Sequence, residues 1–225
     1  MTMGKTFTLS ATDGHSLGAY RADPGGSAKG GIVVLQEIFG VNAHIRDVCD
    51  RFAEDGYAAI APALYDRSSH KNAELTYTKE DVSLGRKLRV EFSWDDTILD
   101  VQAAVTVLGD EGLKVGTLGY CWGGSISYLS ATRLDIRAAV VYYGGQIMPY
   151  LSETARCPLL MHFGATDASI PSSDVEAIGK THPDAEIHVY DAGHGFNCDR
   201  RGAFDAAASK LARQRTLDFF GKLLV

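Results

Sequence analysis

No stretch of this 225-residue chain stays apolar long enough to cross a bilayer. The opening Met1-Thr2-Met3-Gly4-Lys5 has no apolar core of a secretory leader, so a cytoplasmic protein without membrane attachment is expected. Positive charge is also scarce: 22 Lys and Arg against 28 Asp and Glu give a formal charge of −6, which argues against nucleic-acid binding. Cysteine is sparse. Cys49, Cys121, Cys157 and Cys198 form no CxxC pair and no zinc-like cluster with histidine, so neither a disulfide framework nor structural zinc is expected. The glycines spell neither a dinucleotide fingerprint after the apolar run at 31–36 nor a phosphate loop, which sets nucleotide chemistry aside. No cofactor and no resident metal is expected. There is no internal repeat, low-complexity segment or second-domain boundary.

What remains is an ordinary globular composition, 45% apolar and 22% charged, at a natural single-domain length. Residues 6–11 and 15–21 read as a hairpin about Asp13-Gly14. Apolar runs at 31–36, 57–61, 115–118, 136–142, 158–163 and 186–190 read as strands, the one at 31–36 without alternation, as expected where both faces are covered. Between them lie helical patterns: about 43–55 capped by Asn42, 79–92 within a charged excursion at 66–93, 95–108, 123–132, 172–180 capped by Ser172, and 202–220. Alternating elements of this kind predict one α/β domain over residues 1–225, a mostly parallel sheet with helices on both faces.

The most informative run is Gly119-Tyr120-Cys121-Trp122-Gly123-Gly124, placed between an apolar strand and a helix. Its G-x-C-x-G spacing is that of a nucleophile elbow with sulfur in place of oxygen. Small residues two before and two after the nucleophile let strand and helix approach while the side chain stands on a strained turn. The helix start supplies unpaired N–H groups that favour a thiolate or an oxyanion. Asp167 comes just after the strand at 158–163, and His194 just after the strand at 186–190. Nucleophile, acid, histidine is the chain order of the α/β-hydrolase triad. In that reading His194, oriented by Asp167, takes the proton of Cys121.

Five separated motifs carry a resemblance: Gln36-Glu37-Ile38-Phe39-Gly40-Val41-Asn42, Gly56-Tyr57-Ala58-Ala59-Ile60-Ala61-Pro62, the elbow, Tyr142-Tyr143-Gly144, and Ala192-Gly193-His194-Gly195-Phe196. Gln214-Arg215-Thr216-Leu217-Asp218-Phe219 adds a sixth. Over nearly its whole length the chain resembles the dienelactone hydrolase (carboxymethylenebutenolidase) family of the α/β-hydrolase superfamily. The resemblance implies an eight-stranded sheet, hydrolysis of enol-lactones such as dienelactone, no cofactor and a thiol nucleophile. It also implies a small lactone or ester as the only partner, and a monomer, with a homodimer as the alternative. Cys121, Asp167 and His194 match the family's triad, and Glu37 matches the glutamate that hydrogen-bonds the resting thiol. In the family, substrate binding shifts that contact and helps form the thiolate. The oxyanion donors implied are the backbone N–H groups of Trp122 and Ile38.

The chain departs from the family where a substrate carboxylate is held. The two family arginines fall on Cys198 and near Val82 here. Arg86, Arg89, Arg200 and Arg201 are the candidates to replace them, with solvated surface charge as the other reading. Cys49 reads as a core residue, Cys157 as a bystander, and Cys198 as lining a loop. The ring of Trp122, and those of Tyr142 and Tyr143, read as packing. Three alternatives stay open: a broader esterase or thioesterase with the same triad, a non-catalytic binding protein on this scaffold, and a metal-dependent hydrolase using His162, His188 or His194.

Overall fold

Runs that contain almost no polar side chain form the middle of the sheet, because both of their faces are covered. In the computed structural model, which describes residues 4–225, these are β3 (Gly31–Leu35), β4 (Ala58–Pro62), β5 (Val115–Tyr120), β6 (Ala138–Tyr142) and β7 (Leu159–Gly164), buried along their whole lengths. Met1 to Met3, part of the opening segment considered for a leader, lie outside the described residues. The hairpin of β1 (Lys5–Ser10) and β2 (Ser16–Ala22) flanks one side, and β8 (Glu186–Tyr190) the other. The strand order is β1-β2-β4-β3-β5-β6-β7-β8. The β1–β2 and β2–β4 pairs are antiparallel and the rest parallel. Val33 lies between Ile60 and Thr117, and Val140 between Leu118 and Leu160, so the register stacks branched side chains through the centre.

The helices are α1 (Ala43–Glu54), α2 (Lys79–Leu88), α3 (Trp94–Asp110), α4 (Trp122–Arg133), α5 (Ser172–Thr181) and α6 (Ala206–Leu223). Asn42 caps α1 by accepting from the Ile45 N–H, and Ser93 with Asp96 closes a reciprocal capping box on α3. Some helix boundaries differ from the sequence reading. Ser172 is the first helical residue of α5 rather than its cap, because Pro171 holds the extended φ and ψ of the cap position and offers no side-chain acceptor. The last helix starts at Ala206, not 202, because Asp205 accepts from the Ala208 N–H. The residues before it form successive turns, in which Arg201 N–H donates to Cys198 O and Phe204 N–H to Arg201 O.

The charged excursion folds back over the carboxyl ends of the strands. A 3-10 turn at Leu64–Arg67 begins it, and Arg67 grips the buried Asp100 of α3 through two bonds of 2.8 Å. The helix read at 79–92 ends at Leu88, leaving Val90 exposed. Gly85 brings α2 against the loop after β3, where a Cβ would stand 2.0 Å from the Ile38 carbonyl oxygen. The Tyr65 hydroxyl donates to the Gly85 carbonyl at 3.0 Å and holds that approach. At the opposite end of the strands, the Lys114 amine donates to the Val225 carbonyl at 2.7 Å. Among the described residues, no helix is long and apolar enough to cross a membrane.

Candidate active site

The β5–α4 junction gives the site its shape. Cys121 is held at φ 55° and ψ −115°, a conformation that non-glycine residues rarely adopt. Its neighbours explain how the turn closes. A Cβ on Gly119 would meet the Gly123 carbonyl oxygen at 1.9 Å, and one on Gly123 would meet the Leu35 carbonyl oxygen at 2.3 Å. Only hydrogen fits at either position. The Cys121 N–H donates to Tyr142 O at 3.0 Å, fixing the elbow to β6. The Trp122 ring is buried and stacks on Tyr65 at 5.6 Å, with Phe92 and Trp94 around it, so it packs the elbow against the excursion.

Asp167 sits in the turn after β7 with its side chain fully buried. Its Oδ1 accepts from the Ser169 N–H at 2.8 Å, and its Oδ2 lies 2.7 Å from His194 Nδ1. Burial disfavours a charged His194 ring. The Asp167 carboxylate and the Cys121 sulfur outweigh it, and together they raise the ring's pKa to about 10. The charged form of the ring is therefore favoured beside that sulfur. Tyr143, at φ 40°, lays its ring 5.1 Å from that of His194.

Cys121 and His194 face a cavity of about 210 Å³ whose wall includes Ile38, Trp122, Arg86, Arg89 and Arg201. Three of the four candidate arginines thus reach it. Arg200 does not: it is exposed and pairs with Asp47 on α1, because the turn from Cys198 to Arg201 points adjacent side chains in opposite directions. Glu37 also differs from the expectation. Its buried carboxylate accepts from Arg201 Nη1 at 2.9 Å, and the Cys121 sulfur is left to His194. A guanidinium satisfies a buried carboxylate better than a thiol does. The same guanidinium lies over the rings of Phe39 and Tyr77.

Cys198 is completely buried and donates to the Tyr77 hydroxyl at 3.3 Å; burial, helped by the charge of Glu37, pushes its thiol up. Cys49 is sealed in the core, where burial raises its thiol pKa strongly. Cys157 lies by an open cleft of about 430 Å³ at the amino ends of β7 and β8, away from the triad. His162 spends both ring nitrogens on Tyr190 Oη and Thr216 Oγ1, so it offers no lone pair for a metal. Sequence reasoning overlooked Tyr77 and His44, both brought against Glu37 and Cys198 by folding. The only trace of them was their nearness to the Gln36–Asn42 motif and the excursion.

The family model described as the dienelactone hydrolase family matches residues 17–224. A Synechocystis sp. relative is 38% identical over 208 residues, covering 84% of each chain. The carboxymethylenebutenolidase of Pseudomonas putida is 32% identical over 225 residues, covering 96% of this chain and 95% of its own. A crystal structure from Klebsiella pneumoniae superposes with a TM-score of 0.84 at 31% identity, over 97% of this chain and 99% of that one.

Proposed function

The chain belongs to the dienelactone hydrolase family, a family of hydrolases, and on that premise we propose that it is a carboxylic-ester hydrolase opening an enol-lactone such as dienelactone through Cys121. The observation that carries this reading is the line from Asp167 through His194 to Cys121, ending in a cavity walled by Arg86, Arg89 and Arg201. With Glu37 held by Arg201, the sulfur is free to exchange its proton with His194. The thiolate attacks the lactone carbonyl, the ring C–O bond breaks, and the enolate leaves with a thioester on Cys121. The enolate is a good leaving group, and once expelled it takes up the proton that His194 received from Cys121, returning the imidazole to its neutral form. His194 then takes a proton from water, the resulting hydroxide attacks the thioester, the expelled thiolate recovers that proton from His194, and the acid product leaves as a carboxylate, its proton passing to solvent. The N–H groups of Trp122 and Ile38 are the donors for the transient oxyanion, each worth roughly 3 kcal/mol of barrier.

At about 210 Å³ the cavity suits a small substrate better than a long acyl chain. The guanidinium groups suit a carboxylate on that substrate. The decisive measurement is kinetics on a matched pair of enol-lactones, with and without a carboxylate, repeated in arginine-to-alanine variants. The carboxylated lactone should win by roughly tenfold or more in kcat/KM, about 1.4 kcal/mol, and the advantage should shrink in Arg86→Ala and Arg89→Ala. Equal rates, indifferent to those changes, would favour the second reading, a broader esterase or thioesterase acting on less charged activated esters. The pairing of Arg201 with Glu37 favours that second reading, because it leaves one guanidinium fewer for substrate.

A further inference from the structure

Beside the cavity, three residues converge from separate elements: Glu37 from the loop after β3, His44 from the first turn of α1, and Cys198 from the loop between β8 and α6. A Glu37 oxygen, a His44 ring nitrogen and the Cys198 sulfur all lie within 4.8 Å of one another. All three are buried, with at most 1% of their surface exposed. His44 is the unusual member. Neither of its ring nitrogens has a hydrogen-bond partner, although a buried imidazole ordinarily satisfies both. The nearest carboxylate to its Nδ1, that of Asp199, stands 3.8 Å away, beyond hydrogen-bonding distance. His44 also borders an open groove of about 370 Å³, with Asn42, Tyr77 and Arg200 beside it, through which a small ion can approach the cluster.

We propose that Glu37, His44 and Cys198 form a binding site for a borderline-soft divalent cation, Zn²⁺ or its surrogate Cd²⁺, distinct from the Cys121–His194–Asp167 triad. Thiolate, imidazole and carboxylate are the donor set of zinc, whereas Ca²⁺ and Mg²⁺ call for oxygen alone. Bonds of about 2.0–2.3 Å place tetrahedral ligands roughly 3.3–3.8 Å apart, so the cluster needs to close by no more than about 1.5 Å on binding. Water or the Tyr77 hydroxyl, 3.3 Å from the sulfur, completes the fourth position. On binding, the S–H bond of Cys198 breaks, the sulfur–metal bond forms, and one proton passes to solvent with no change of oxidation state. Glu37 is shared with Arg201 through its Oε1. Occupancy therefore competes for the carboxylate and loosens Arg201 at the cavity wall.

The test uses the full chain as Cys121→Ala, so that the triad sulfur cannot bind metal. Cd²⁺ titration should produce a thiolate-to-metal charge-transfer band that saturates at one equivalent, is displaced by Zn²⁺ and abolished by EDTA, and releases one proton. Adding Cys198→Ser or His44→Phe to that protein should weaken binding by roughly a hundredfold or more. Absence of the band, or its persistence in either double variant, would overturn the site. Each substitution is decisive by itself, so a variant that does not fold leaves the other to decide. Because the readout is absorption and not turnover, the outcome is independent of the proposed catalysis.

Discussion

At Cys121 the backbone stores strain, since φ 55° is unfavourable for a residue with a Cβ, and the elbow's packing rather than the sulfur holds it there. Cys121→Ala should therefore leave folding intact, remove alkylation by iodoacetamide at the site, and lower kcat by roughly 10⁴-fold or more. Near wild-type turnover in that variant would end the thiol mechanism. Cys121→Ser should not restore activity, because an alkoxide is far harder to generate than a thiolate. The neighbouring arginines make a sharper pair. Arg200→Ala removes an exposed ion pair worth no more than about 1 kcal/mol and should leave kcat/KM unchanged. Arg201→Ala strands the buried Glu37 carboxylate, so urea denaturation should show a loss of about 3 kcal/mol alongside a fall in kcat/KM. Equal effects from the two variants would contradict the placement of both side chains. The convergence of Cys121, Asp167 and His194 could be read from the sequence because each lies in the turn or loop that follows a parallel strand, and parallel strands gather the loops at their carboxyl ends along one edge. It could not separate Arg200 from Arg201, whose opposite directions depend on a turn built by folding. Nor did it show His44 as buried, since the first turn of a capped surface helix is ordinarily wet.

Among the elements, α2 is the one whose position bears most directly on the cavity, and its contact with the Ile38 loop rests on Gly85. Gly85→Ala introduces a Cβ 2.0 Å from a main-chain oxygen that cannot yield cheaply, so α2 must lift away. Kinetics should show KM rising and kcat/KM falling roughly tenfold or more, with stability lowered by about 1–3 kcal/mol. Gly109→Ala is the control: it lies in α3 with nothing within 4 Å of the added methyl. It should stabilise the protein by about 0.5–1 kcal/mol and leave turnover unchanged. Activity surviving Gly85→Ala intact would show that α2 does not shape the site. A helix near 79–92 could be read within the charged excursion, but neither its end at Leu88 nor its docking was legible, because a glycine in a helix looks the same whether it meets backbone or water. The central strands were the clearest elements, their lack of polar side chains leaving no face for solvent. The blurred ends, at Pro171 and Asp205, are places where several capping residues stand within a few positions of each other.

For the molecule as a whole, buried histidines set the response to acid. Burial holds His44 below its ordinary value, and burial with the charges of His188 and Arg215 holds His162 well below. The unfolded chain protonates both near pH 6.5 while the folded chain does not, so stability falls as pH drops below about 6.5. Each contributes a slope of up to about 1.4 kcal/mol per pH unit. Asp100, pushed up by burial, takes its proton early in the folded state and offsets part of the loss. Urea midpoints between pH 7 and 5 should show the decline, and His44→Phe should flatten part of it. A midpoint constant over that range would contradict the neutral burial of both rings. The Lys114–Val225 contact has a practical side. β5 runs from that contact to Cys121, a span of roughly 20 Å for its six residues. A tether joined beyond Val225 would hold the protein by the end opposite its cavity. Grafted to a bead that way, the catalyst would turn its open mouth to the bulk liquid and keep the kcat/KM it has in solution. Random coupling through amines would instead recruit Lys79 and Lys87 on α2 and press that mouth against the support.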